Sequence, residues 1–256
     1  MNSGRKGLWG GGGFAVRPLV AIVVGLLIAL LATAILQTPK ADAAVDRRAV
    51  SAAKGDQGFP VWYQDARGRR VQLCLDGTPN CADAVPADLT PPEGEAFYWS
   101  ADASIARAGG VDARLVLAAE AAFADAGADS QITFGRIRVR VDNLKPNTRY
   151  TITQPYGVMN LRSNGTGVIN VTRDVGCIAI PCNFNLALKS PVFDGFLRQK
   201  AGAPPGYLGD PTVERAVTGS PTGNNFFRIE GPSAGGRGSG IDRVQTSRFA
   251  VMGKLN

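Results

Sequence analysis

The sequence predicts an all-β protein, an antiparallel β-sandwich with an N-terminal hairpin extension, and three observations lead there. The 32 glycines and 16 prolines in 256 residues, with 45% hydrophobic and 19% charged residues, suit a loop-rich β protein better than a helical bundle. Within residues 132–156, Ile137, Val139 and Val141 alternate with Arg136, Arg138 and Arg140, and Tyr150 and Ile152 then alternate with Arg149, Thr151 and Thr153. A period of two puts the aliphatics on one face of a strand and the polar groups on the other, as in a half-buried antiparallel strand. Short runs of the same kind recur along the chain between turn-forming residues.

Residues 19–36 are 18 positions without a charge, preceded by Arg5, Lys6 and Arg17 and followed by the small residues 41–44. Positive charge on the amino side keeps that end in the cytoplasm and sends the remainder across the membrane. The A-x-A pattern at 41–43 favours a cleaved signal peptide, and the alternative is a retained anchor, which would make 19–36 the chain's sole membrane contact. Residues 1–44 are therefore set aside as signal or anchor, 45–58 as a polar linker, 59–100 as a hairpin and aromatic segment packed on the main domain, and 101–256 as the sandwich.

In the hairpin, residues 61–63 form one strand, Asp65-Ala66-Arg67-Gly68 is turn chemistry, and Val71, Leu73 and Leu75 alternate on the return. Cys74 and Cys81 follow with six residues between them, and Cys177 and Cys182 with four. In an exported chain these are most simply two local disulfides, each closing a short loop and each adding roughly 2 kcal/mol. A four-thiolate zinc site would want tighter pairs and a reducing compartment.

Trp62, Tyr63, Tyr98 and Trp99, with Phe97, could form a stacking platform for a sugar or other flat ligand, or fill one end of the core. Since strand neighbours point oppositely, one of each adjacent pair is expected to face outward. Residues 113–124 have helical propensity but also place Leu115, Leu117, Ala119, Ala121 and Phe123 on one face at period two; flanking glycines favour a strand, with helix the alternative. Strands are then expected near 114–123, 132–141, 148–154, 166–172, 213–218, 225–230 and 243–252, the seven runs an immunoglobulin-like sandwich needs. Between 186 and 213 lies a long stretch without strand signal, where Phe193, Phe196, Arg198 and Tyr207 mark a packed loop, a short helix near 193–200 or a binding surface.

The net charge of +7 is unevenly placed. Residues 1–44 hold four basic groups and one acidic group, leaving 24 basic against 20 acidic in the remainder. That modest excess describes a solvated surface and not a nucleic-acid footprint. The row Arg136, Arg138, Arg140 is either a solvated sheet face that resists edge aggregation or a stripe for an anionic partner, such as a phosphate-bearing envelope polymer or an acidic protein.

There is no histidine in the chain. This excludes Ser-His-Asp and Cys-His nucleophilic arrangements, histidine zinc sites and histidine acid-base catalysis. The Gly-rich stretch 231–240 lacks a phosphate cradle's Lys and Ser/Thr, and no calcium-loop pattern is present. No cofactor or metal is expected. The remaining enzymatic alternative is a glycan hydrolase using a carboxylate pair, with Glu120 and Glu230 as candidates; an ion pair with Arg228 is the simpler account of Glu230.

Two resemblances accompany these readings. Leu144, Pro146, Thr148 and Tyr150 form L-x-P-x-T-x-Y, which resembles the tyrosine corner of fibronectin type III domains. The resemblance implies a hydroxyl bonded back to nearby backbone, although Pro155 departs from the usual continuation by ending the strand early. More broadly, the blocks 58–65 (GFPVWYQD), 95–103 (EAFYWSADA), 134–142 (FGRIRVRVD), 202–211 (GAPPGYLGDP) and 224–232 (NNFFRIEGP) resemble a family of exported bacterial proteins to which no activity is assigned. That likeness implies export and a β-rich fold and transfers no catalytic role. The expectation is a secreted or extracytoplasmic protein that acts by binding or structure, with a cell-envelope glycan or an acidic surface partner.

Overall fold

A computed structural model describes residues 46–81, 91 and 94–256. The apolar run 19–36 and the small-residue site at 41–43 lie outside the described residues, among which no helix is long and apolar enough to cross a membrane. Among the described residues fifteen strands run in chain order: β1 (Ala49–Val50), β2 (Trp62–Gln64), β3 (Arg70–Gln72), β4 (Glu95–Ala106), β5 (Asp112–Phe123), β6 (Gln131–Asp142), β7 (Arg149–Gln154), β8 (Gly157–Arg162), β9 (Ile169–Cys177), β10 (Arg198–Gln199), β11 (Arg215–Thr218), β12 (Phe227–Glu230), β13 (Arg243–Thr246), β14 (Arg248–Met252) and β15 (Lys254–Leu255). They form a seven-stranded sheet ordered β10-β11-β14-β4-β5-β6-β9 and two four-stranded sheets, β13-β12-β7-β8 and β1-β2-β3-β15. Neighbouring strands pair antiparallel, so the fold is all-β and sandwich-like.

The core lies where the inner faces meet. Leu115 and Leu117 of β5, and Val139 and Val141 of β6, join Tyr150 and Ile152 of β7 and Phe227 and Ile229 of β12 in one buried cluster. The alternation seen in the sequence thus becomes a buried aliphatic row on β6 and an outward arginine row. Residues 112–123 are strand: β5 sits between β4 and β6, where two ladders and a buried Ala/Leu face outweigh helical propensity.

The tyrosine corner has the geometry its motif implies. The Lys145 amide donates to the Tyr150 hydroxyl at 3.1 Å, and that hydroxyl donates to the Pro232 carbonyl at 2.9 Å, tying the approach to β7 to the loop after β12. β7 stops at Gln154, and Pro155-Tyr156 turns the chain directly into β8. Both disulfides join the local partners, Cys74 with Cys81 and Cys177 with Cys182.

Several elements differ from expectation. The stretch 45–58 contains β1, which covers the outer edge of β2, so ordered structure begins before Phe59. The boundary expected at residue 100 falls inside β4, whose two halves share the ladder to β5. The strand expected at 166–172 begins at Ile169, because the Asn164 side chain accepts from the amides of Thr166 and Val168 and holds a turn there. The run 243–252 is two strands that change sheets at Ser247, with β13 in a four-stranded sheet and β14 in the large one.

The long stretch after 186 holds two 3-10 turns, Phe184–Lys189 and Pro191–Asp194, then β10, with Phe193 and Phe196 buried in the core. It lies close against β6 at Gly135, where a Cβ would collide with the Ser190 side chain. Gly68 closes the β2–β3 turn at φ +84°, which favours glycine.

Candidate functional site

The outward face of the central sheet carries a groove of about 260 Å³, lined among others by Glu95, Asp102, Arg114, Glu120, Arg136, Arg138 and Arg140. It exists because β4, β5, β6 and β9 place their polar alternates side by side. In the ladders, Arg114 stands opposite Arg140, Arg136 opposite Asp174, and Arg138 opposite Thr172.

At one end Arg136 is held from three sides. Its Nε and Nη2 donate to the two Asp174 carboxylate oxygens at 2.8 and 2.9 Å, and its Nη1 lies 2.8 Å from Glu120 Oε2 and 3.5 Å from Glu95 Oε1. The Glu120 side chain is 1% exposed. Its carboxyl is pushed up to about 9, chiefly by burial; the Arg136 guanidinium pulls the other way, and the neighbouring Glu95 and Asp174 add to the rise. Burial thus favours the uncharged form of Glu120, and the carboxyl groups gathered around Arg136 make this the acidic end of the groove.

The other end is basic. Arg114 and Arg140 face each other directly across the β5–β6 ladder, and Arg138 is next along the same face. Arg114 is paired with Asp102 at 2.6 Å, and Arg138 donates to the Thr172 hydroxyl at 3.1 Å. Arg140 is exposed and has no hydrogen bond or ion pair among the described residues. Three guanidinium groups against Asp102 give this end net +2. From Arg136 to Arg140 the groove runs about 13 Å at ~3.3 Å per residue, with Phe97 and Val116 as its apolar lining.

The aromatic platform does not assemble. Tyr63, Tyr98 and Trp99 are fully buried, and their polar tips are satisfied inside: Tyr63 with Thr133, Tyr98 on the Pro60 carbonyl, Trp99 on the Leu197 carbonyl. Tyr98 and Trp99 both point inward because the register between β4 and β5 shifts between Phe97 and Trp99, and that bulge breaks the alternation expected of neighbours. Trp62 is half-buried, with the Arg70 guanidinium 4.2 Å above its ring. None of the three buried rings offers a face to a ligand.

Glu230 does not converge with Glu120. It lies on β12 in a different sheet, near Arg228 at 3.7 Å and Arg243 at 3.8 Å, and does not line the groove. Arg198 and Tyr207, by contrast, do meet, in a second pocket with Arg67 and Arg69. Sequence reasoning missed Glu95, Asp102, Arg114 and Asp174 in the groove and Arg67 and Arg69 in the pocket. A charge inside the Ala-rich run of β5 was the one available signal, and it pointed to Glu120 alone. Among the described residues no group of three or more His, Cys, Asp or Glu side chains could hold a metal ion.

Comparison with protein-family models, with curated proteins and with solved structures finds no match to this chain.

Proposed function

We propose that this chain is an exported protein of the cell envelope or extracellular space that binds an anionic glycan, without catalysis, along the groove of the central sheet. The observation that carries the reading is the direct opposition of Arg114 and Arg140 across the β5–β6 ladder. Like charges facing each other on a strand pair are unfavourable; Asp102 offsets Arg114, and a phosphate or carboxylate beside Arg140 offsets the remaining charge. The acidic end then accepts hydroxyl hydrogen bonds through Glu95, and Phe97 and Val116 meet the apolar face of a sugar ring. Such a division fits a ligand with an acid at one place and hydroxyls along the rest.

Two features favour binding over turnover. Retaining glycosidases hold their carboxyl groups about 5–5.5 Å apart and inverting ones about 6.5–9.5 Å apart across one cleft, whereas Glu120 and Glu230 lie on strands of different sheets and only Glu120 lines the groove. Glu120 is also covered almost completely. Two disulfides among the described residues fit an oxidising compartment, which supports export.

The test is a polysaccharide array and pull-down with the full chain, using phosphate-bearing and uronic-acid polymers beside neutral ones. Retention of the acidic polymers, weakened by salt and by Arg140→Glu, is the expected result. Equal retention of neutral polymers, or release of shortened product on incubation, overturns the reading.

A further inference from the structure

The second pocket, of about 480 Å³, is lined by Arg67, Arg69, Arg198, Gln199, Ala203, Tyr207, Leu208 and Leu255. It gathers three arginines from two separate segments, the β2–β3 turn and β10, and among the described residues no acidic one lines it. We infer that this pocket is a binding site for a phosphate group, held by Arg67, Arg69 and Arg198 with the apolar part of its carrier against Leu208 and Leu255. The inference does not rest on the groove, which uses different residues on different strands.

The argument begins with how the cations are held. Each guanidinium has five N–H donors in a fixed plane. Arg67 donates to the main-chain carbonyls of Gly219 at 2.8 Å and Ser220 at 3.0 Å, which fixes its plane and leaves its remaining donors uncommitted. Arg69 commits its Nε to Asp65 at 3.2 Å. Asp65 is itself fully buried and taken up: it accepts from the amides of Arg67, Arg69 and Phe196, so it anchors the turn rather than neutralising the pocket. Arg198 is exposed on a two-residue strand and has no hydrogen bond or ion pair among the described residues.

Exposed arginines that repel one another ordinarily swing apart into water. Here Arg67 and Arg69 cannot, since their hydrogen bonds to Gly219, Ser220 and Asp65 hold them at the pocket wall. The neighbouring charges do not cancel the surplus. Tyr207 donates its hydroxyl to Asp76 at 2.6 Å, and Lys254 pairs with the same carboxylate at 2.9 Å, so Asp76 is spent on Lys254 and Tyr207. Counting Arg67, Arg69, Arg198 and Lys254 against Asp65 and Asp76 leaves net +2, which matches a doubly charged phosphate. Two fixed guanidinium groups and one free arm suit a tetrahedral oxyanion: fixed donors orient it and Arg198 closes over it.

The phosphate could belong to a diffusible molecule or to the end of a polymer, and two probes separate these sources. Calorimetric titration of the full chain at low salt uses inorganic pyrophosphate for the first and long-chain polyphosphate for the second. Saturable binding of pyrophosphate is expected, weakened about tenfold or more by Arg198→Glu and changed less than about twofold by Arg140→Glu. Binding of polyphosphate alone, with the same dependence on Arg198, assigns the site to a polymer end. Arg198→Gln, which removes the charge from a side chain without partners, is titrated in parallel so that a folding defect in the Glu variant does not decide the result. No saturable binding of either probe, or binding that both Arg198 variants leave intact, overturns the inference. If Arg140→Glu abolishes polysaccharide retention while pyrophosphate binding survives, the two sites are separate; if Arg140→Glu leaves polysaccharide retention intact while pyrophosphate binding still depends on Arg198, the groove reading fails and this pocket stands.

Discussion

Arg136 and Arg140 lie four residues apart on one strand, on one face, and they have opposite fates. Arg136 is enclosed by Glu120, Asp174 and Glu95 and ties four strands together, β4, β5, β6 and β9. Arg140 faces another arginine, Arg114, across the β5–β6 ladder, where Arg136 faces Ala118, and it reaches into solvent. The strand's own alternation fixes only which face a side chain takes. What stands opposite on β5 and β9 decides whether that charge is a structural bolt or a surface available to a partner.

The largest effect should come from breaking the enclosed end. Arg136→Ala removes the cation shared by Asp174, Glu120 and Glu95 and is expected to cost about 1.5–3 kcal/mol in urea unfolding, the loss of hydrogen bonds to a partly buried charged group. A loss below about 1 kcal/mol would show that the two ends of β6 do not differ as described. Next comes Glu120→Gln. The folded-state carboxyl is raised from an ordinary value of 4.5 to about 9, so the folded chain keeps a proton that the unfolded chain releases. This contribution is fully present below about pH 4.5 and is lost as pH rises towards 9, with a slope of at most ~1.4 kcal/mol per pH unit. The Gln variant removes the dependence, so its stability relative to the unsubstituted chain should increase with pH across that window; parallel pH–stability curves would contradict an uncharged Glu120. The smallest effect belongs to Arg140→Gln, which should leave stability within about 0.5 kcal/mol while weakening retention of acidic polymers.

Much of this fold was legible in residue alternation, because β12 and the stretches 112–117 of β5, 136–142 of β6 and 149–152 of β7 bury one face and leave the other open. β4 was harder to read: Ala96, Tyr98 and Trp99 are all buried, and the bulge that allows it leaves no period in the sequence. β1 was hidden for another reason, since two residues that only cover an edge need no pattern of their own. The site was legible by residue and not by partnership. Arg136, Arg138 and Arg140 could be placed on one face, but Glu95, Asp174 and Arg114 join them through register between strands distant in sequence. The buried aromatics show the reverse error. Their clustering suggested a platform, yet hydroxyl and indole groups that find main-chain carbonyls are content in a core.

The strands at 248–255 have a kinetic consequence. β14 supplies β4 with its second neighbour, and β15 pairs Lys254 with Gln72 and Leu255 with Val71. Neither the central sheet nor the hairpin sheet can close until almost the whole of the described chain has been synthesised. Contacts of such sequence separation make folding slow and leave strand edges open meanwhile. During synthesis β4 therefore waits with one side unpaired, and a chain delivered whole and unfolded to the compartment where it folds is spared that interval.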